Sequence, residues 1–328
     1  MEQTMGQRLA ELRKKSGLTQ NELAEKLMVS NKAVSKWESD NGNPSMEFLP
    51  QLSQILNCSI DYLLTGKEHK NSEFLEINND YELPIQIGKN DTKTFIGDIT
   101  TLSHTMILGE TGSGKSIFLH NIITELIYHK SPNEINFALL DPKQVEFYYY
   151  QNIPYLFKPL AKQPKDITNL LQECVAEMDR RIELIDCINK LNSAKGVVIK
   201  YTPDASMPYL LLVIDELYEV VIQSEKNINL LTRLLKSGHE VGIFVFMATQ
   251  TNDIKNIPNC ILDKVMSKIS FKVNSSELSK NFIGVPDAAN LKLHGEMLFK
   301  TKSCLKPYLL KPKYINEQEI KQIIHNLK

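Results

Sequence analysis

One stretch, Gly109-Glu110-Thr111-Gly112-Ser113-Gly114-Lys115-Ser116, constrains this chain more than any other. It reads G-x-x-x-x-G-K-S, a spacing whose glycines let the backbone turn tightly and point successive N–H groups inward at a polyphosphate. In such a cradle Lys115 reaches the β- and γ-phosphates, and the Ser116 hydroxyl is placed on Mg2+. The loop works only between a strand and a helix, whose positive N-terminal end joins the same anion site. Both flanks agree. Residues 105–108 read as a short buried strand, and residues 117–127 carry apolar side chains at helical spacing. A site for ATP with Mg2+ follows.

A second signature lies downstream. The apolar run 209–214 leads into Asp215-Glu216. A strand ending in two carboxylates suits nucleotide hydrolysis, with Asp215 holding Mg2+ through water and Glu216 orienting or deprotonating the attacking water. Between the two signatures, residues 135–140 read as a buried strand ending in Asp141-Pro142-Lys143, and 166–191 as a long helix with apolar residues three and four apart. Beyond them come a helix over 227–237 and a strand over 243–247 that ends in Ala248-Thr249-Gln250. Gln250 then lies beside the carboxylate strand, where it could sense the γ-phosphate. Residues 94–99 read as a strand pairing next to the phosphate-loop strand. This alternation predicts an α/β P-loop NTPase with a RecA-like, mostly parallel sheet, its ligand at the carboxyl ends of the strands.

The first 66 residues have a different texture. Leu9 and Leu12, then Leu18, Leu23, Ala24 and Leu27, mark two short amphipathic helices broken at Ser16-Gly17. Thr19 and Glu22 have capping-box spacing. Met28-Val29-Ser30 reads as a tight turn, with Ser30 capping a third helix over 31–38. Pro44-Ser45 opens a fourth running to Leu56, and 59–64 make a last helical turn. Trp37 is read as core. Residues 67–82 form a polar linker, which leaves 83–328 for the α/β domain.

Composition narrows the function classes. Formal net charge is −1, so any contact with nucleic acid rests on local patches. The five cysteines (Cys58, Cys174, Cys187, Cys260, Cys304) are scattered, and the seven histidines form no H-x-x-x-H pair. Reduced thiols in a cytoplasmic protein without zinc are expected. No apolar run approaches the ~18 residues of a membrane helix.

With L-T-Q at its second helix, V-S at the turn, W-E ending the third and P-S before the fourth, the segment 5–66 resembles a helix-turn-helix domain of the Cro/C1 repressor (XRE) type. The resemblance implies a third helix in the DNA major groove. Asn31, Lys32, Ser35 and Lys36 then face bases or phosphates, with Gln20 at the start of the second helix.

The remainder, from about residue 83, resembles the motor domain of the FtsK/SpoIIIE family of DNA translocases. The matching phrases are IGKN, GETGSGKS, LLDPKQVEF, IPYLFKP, EMDRRIELI, LLVIDEL, GIFVFMATQ and GEMLFK. That resemblance implies a homo-oligomeric ring, usually hexameric, that threads double-stranded DNA using ATP. Lys115 and Ser116 would bind phosphate and Mg2+, Asp215 and Glu216 would run hydrolysis, and Gln250 would be the sensor. Two departures stand out. His239 occupies the position where relatives carry an arginine that completes a neighbour's site, which leaves Arg233 or Lys280 as substitutes. Thr251-Asn252 follows A-T-Q where relatives tend to have Arg-Pro. The family's membrane anchors and C-terminal winged helix have no counterpart, so a repressor-like domain is expected to stand in for them. Three functions fit: a DNA motor for transfer, replication or segregation of a mobile element; an ATP-switched transcriptional regulator; or an adaptor ATPase for a relaxase or replicase.

Overall fold

In the computed structural model the chain divides into two compact units, Met1–Glu76 and Ile77–Lys328. Residues 4–45, 48–56, 63–64, 81–192, 200–293 and 295–327 are described. The first unit holds helices α1 (Met5–Lys15), α2 (Gln20–Lys26), α3 (Asn31–Glu38) and α4 (Leu49–Leu56). Thr4, Thr19 and Ser30 each accept the backbone N–H three residues on, satisfying a donor that the helix itself leaves unpaired. The Thr19–Glu22 capping box forms as read. Leu9, Leu23, Leu27, Val34, Trp37 and Leu52 close the core, with Trp37 against Phe48 at 5.7 Å between ring centroids. The fourth helix starts later than the sequence suggested. Phe48 N first bonds back to Ser45 O at 3.0 Å, and α4 begins only at Leu49. Residues 46–47, most of the expected last turn and nearly all of the expected linker lie outside the described residues.

The second unit is built on a 7-stranded sheet in the order β4-β5-β6-β3-β7-β8-β9. Its strands and main helices are β1 (Pro84–Lys89), β2 (Thr94–Asp98), β3 (Thr105–Gly109), α5 (Lys115–His129), β4 (Ile135–Leu140), α6 (Pro164–Asn192), β5 (Tyr209–Ile214), α7 (Glu225–Ser237), β6 (Ile243–Gln250), β7 (Ser267–Ser270), β8 (Met297–Thr301), β9 (Tyr308–Leu310) and α8 (Glu317–His325). Strands β4 to β7 run parallel and the last two antiparallel. Side chains alternate along a strand, so Met106 and Leu108 join α6 and α7 in one core while Ile107 joins α5 in the other. Central strands are therefore apolar on both faces, which is why they read as continuous runs.

Strand β2 is not beside the phosphate-loop strand. It pairs antiparallel with β1 in a separate hairpin, because both edges of β3 are taken by β6 and β7. The start of α7 also moved: Ser224 caps it, and Asn227 is buried inside, bonding Val220 O at 2.9 Å and the Thr168 hydroxyl at 2.8 Å. Within α6, Arg181 is fully buried and bonds Val241 O at 3.0 Å, Pro208 O at 2.8 Å and Glu177 at 2.7 Å. The E-M-D-R-R phrase thus staples α6 to the starts of β5 and β6. Among the described residues no helix is long and apolar enough to cross a membrane.

The β1–β2 hairpin packs against α5, where Gln86 N donates to the buried Glu125 carboxyl at 2.7 Å. Burial raises that carboxyl to about 7, only partly offset by the Gln86 bond. The folded state therefore holds a proton that the unfolded chain releases near 4.5. Its contribution is full at low pH and is lost as pH rises toward 7, a loss of about 3 kcal/mol. Glu125→Gln should therefore gain stability over wild type between pH 5 and pH 8 in urea melts. An identical difference at both pH values would rule this out.

Candidate nucleotide site and DNA-facing helix

Strand register alone brings the second unit's polar residues together. Leu140 pairs with Ile214, Ile214 with Met247, and Gly109 with Gln250. Asp141, Asp215-Glu216, Thr249-Gln250 and the loop after Gly109 therefore leave the same edge of four adjacent strands.

The loop itself is tight. A Cβ on Gly109 would meet Ser113 Oγ at 2.5 Å and Phe271 Cβ at 2.7 Å, so only glycine fits. Gly114, at φ 111°, turns the chain into α5 in a left-handed conformation that other residues avoid. Lys115 Nζ donates to Gly109 O at 2.7 Å and Glu110 O at 2.8 Å. Burial holds its ammonium below the ordinary lysine range, although Glu216 and Asp215 pull the other way. Ser116 Oγ donates to Asp215 Oδ1 at 3.4 Å, and Thr111 Oγ1 to Gln250 Oε1 at 3.2 Å.

Carboxylates crowd the opposite wall. Burial pushes Asp215 up to about 7, with Glu146, Asp141 and Glu216 adding to the rise. Glu216 is 2% exposed. Its Oε2 accepts from Lys143 Nζ at 2.9 Å, and its Oε1 from Thr249 Oγ1 at 3.0 Å and Gln250 N at 3.3 Å. Asp141 accepts the N–H groups of Val145, Glu146 and Phe147 at 3.2, 3.1 and 2.9 Å, pinning the loop that carries Lys143. A bond from His120, against the effect of burial, holds Glu146 below the usual carboxylate range, and Ser116 adds to it. Lys143, Glu146, His120 and Thr249 had no role in the sequence reading. The signal for Lys143 and Glu146 was the phrase LLDPKQVEF, whose Asp-Pro-Lys ends a buried strand, and for Thr249 the phrase GIFVFMATQ; His120 carried none.

These residues fit a magnesium nucleotide. Ser113 Oγ is buried inside the loop with no hydrogen-bond partner. The like-charge crowding around Asp215 calls for a cation, and a hydroxyl with carboxylate oxygens is the donor set Mg2+ prefers. Among the described residues no three His, Cys, Asp or Glu are grouped to hold a metal unaided. Phosphate and water would complete the shell.

The possible trans residues differ in availability. His239 is exposed and stands edge-on to the buried His104 at 5.8 Å. Arg233 is committed to Asp179 by bonds of 2.8 and 3.0 Å.

In the first unit, Asn31, Lys32, Ser35 and Lys36 are all exposed on one face of α3, while Val34 and Trp37 on the other face are buried. Asn31 Nδ2 donates to Asn21 Oδ1. Gln20 is different: it is half-buried and its Nε2 donates to Glu38 Oε2 at 2.8 Å. Glu38 is already gripped by Arg13 at 2.5 and 2.9 Å, so Gln20 is tied down in this structure.

A model of the FtsK/SpoIIIE family matches residues 76–253, over half of the chain. The chain belongs to the FtsK/SpoIIIE family. A separate helix-turn-helix model matches residues 9–63. DNA translocase FtsK of Borreliella burgdorferi is 30% identical over 282 residues, covering 84% of this FtsK/SpoIIIE chain and 35% of the relative. DNA translocase SpoIIIE of Bacillus subtilis is 28% identical over 262 residues, covering 76% and 33%. The chain thus spans about a third of the length of these relatives. Among solved structures, the pCW3 conjugation coupling protein TcpA, in a monomer form with ATPγS, superposes with a TM-score of 0.62 at 20% identity, covering 86% of this chain and 85% of TcpA. The cytoplasmic domain of the EccC secretion ATPase from Thermomonospora curvata gives 0.63 at 19% identity, covering 84% and 34%. The second unit has the P-loop ATPase fold with a mostly parallel sheet.

Proposed function

We propose that this chain is an ATP-hydrolysing motor that moves double-stranded DNA, brought to its site by the helix-turn-helix unit. The observation that carries the reading is the convergence of Lys115, Ser116, Asp215 and a buried, doubly held Glu216 on one sheet edge. Nucleotide binding alone does not need Glu216. Lys115 would exchange the carbonyls of Gly109 and Glu110 for the phosphates. The N–H groups of Thr111, Gly112, Ser113, Gly114, Lys115 and Ser116 would cradle them, with Gly109 and Glu110 opening the loop; the Glu110 N–H is itself held by Lys272 O at 2.9 Å. Ser116 and Asp215 would hold Mg2+, which supplies charge neutralisation at the β- and γ-oxygens. Glu216 would orient the attacking water, and Gln250, bonded to Thr111 and backing Glu216 through its N–H, would sense the γ-phosphate. On α3, Asn31, Lys32, Ser35 and Lys36 would contact DNA, with Gln20 joining only if it leaves Glu38. A homo-hexameric ring in the cytoplasm, serving DNA transfer or replication of a mobile element with a relaxase or replication partner, is the setting we infer. Of these, only the DNA-transfer role draws support from the likeness to a conjugation coupling protein.

Phosphate release measured without DNA, with duplex and with single strands tests the motor. Severalfold stimulation by duplex above single strands is expected. Rates that stay at background with every DNA would sink it. In the same preparation, Asn31→Ala with Lys36→Ala should weaken binding to the chosen site by roughly 10- to 100-fold, as loss of one or two base-edge contacts does. Stimulation by unrelated duplex should remain.

A further inference from the structure

A carboxylate that activates water must be aimed at it, and Glu216 is held by protein groups with little solvent around it. Its side chain is only 3% exposed. Both of its oxygens are held from neighbouring strands: Oε1 by Thr249 and the Gln250 N–H at the end of β6, Oε2 by Lys143 after β4. The charge of Glu216 also bears on Asp215. Lys143 supplies the compensating charge, and of its surroundings Glu216, then Glu219 and Asp215, favour its charged form against the burial that opposes it.

The lysine is aimed by its own loop. Asp141, with no exposed surface, grips three consecutive N–H groups from Val145 to Phe147. Gln144, next to Lys143, takes a left-handed φ of 59°. Lys115 by contrast rests on the phosphate loop's own carbonyls. The two lysines of the site are therefore committed to different partners.

We propose that Lys143 is the positioning residue for Glu216, fixing the direction of its carboxylate without touching the nucleotide. The role rests on the hydrolytic reading given above. Removing Lys143 leaves a buried carboxylate without its counter-ion. Oε2 then loses the bond that fixes it, and the carboxylate can turn away from the attacking water.

Lys143→Met should lower kcat by about 10- to 100-fold, part of what a general base contributes. Affinity for a fluorescent ATP analogue should stay within about twofold, because no uniform binding contact is lost. Lys143→Arg should regain most of the rate. Thr249→Val, which removes the hydroxyl from the other oxygen, should give a smaller fall with the same unchanged affinity, and it serves if the methionine variant folds poorly. Melting temperatures of K143M, E216Q and the double variant form a cycle that needs no turnover: K143M should cost less in the E216Q background. The role is overturned by a K143M enzyme as fast as wild type or faster, by weakened nucleotide binding in K143M, or by additive melting shifts. An idle wild type sinks the hydrolytic reading beneath it, whereas an active wild type with an equally active K143M sinks this role alone.

Discussion

Replacing Lys115 with alanine is expected to take ATP turnover to background, a loss of about a thousandfold or more in duplex-stimulated phosphate release. Lys115 is buried, and its ammonium sits on Gly109 O and Glu110 O of the loop, where entering phosphates would meet it. Burial depresses it, so the fold maintains a charge there at a cost. The wall it faces carries Asp215, Glu216 and Glu146, and alanine leaves a triphosphate entering that negative field with one cation fewer. A charge-assisted bond contributes about 1.5–3 kcal/mol to binding. A preorganised donor to developing charge is worth roughly 10²–10³ in kcat. Both losses apply here. Stabilisation by ligand reads the binding part: wild type should melt higher with Mg-ATP and the variant should not. Retention of a tenth of the wild-type rate would mean that the phosphate-loop assignment is wrong. Binding of the helix-turn-helix unit to duplex should survive, since Lys115 bonds only to loop carbonyls and not to any of the residues proposed to contact DNA.

Local patterns were readable from sequence, and partnerships across the sheet were not. The phosphate loop and the Asp215-Glu216 strand end are each one contiguous phrase whose chemistry follows from residue order. The caps at Thr19 and Ser30 are likewise local, and both formed where expected. By contrast, residues 94–98 were recognisable as a strand, yet their partner depended on β6 and β7 occupying both edges of β3. Asn227 has cap chemistry, but Ser224 three residues earlier caps the helix and leaves the asparagine to satisfy a buried carbonyl. The grip on Glu216 was invisible for the same reason. Lys143, in the loop after β4, is far in sequence from Thr249 and Gln250 at the end of β6, and only the order β4-β5-β6 brings them to Glu216 after β5.

Glu216→Gln is expected to separate binding from hydrolysis. The amide keeps the volume, and its single oxygen can accept from Lys143 or from Thr249 and the Gln250 N–H but not from both sides at once. The grip of Asp141 on its loop and of Lys115 on the phosphate loop does not involve this side chain, so the loop, the strand ends and the nucleotide cradle should persist. What is lost is the negative charge proposed to orient or deprotonate water. A fall of about 10²- to 10³-fold in kcat is therefore expected, within the range for a general base. Nucleotide affinity should hold or rise: with Glu216 neutral, one of the three carboxylates that help burial raise Asp215 is gone, and a magnesium triphosphate meets less repulsion. Single-turnover phosphate release with a fluorescent-nucleotide titration measures both. The same variant separates a motor from a regulator that uses ATP only as a switch. A regulator needs the ATP-bound form and nothing after it, so E216Q would act like wild type at its DNA site while K115A would fail. A motor needs the chemical step, so E216Q should bind ATP and duplex together yet displace no triplex strand from its track. Hydrolysis in E216Q within threefold of wild type would remove Glu216 from the mechanism and point to another group for the water.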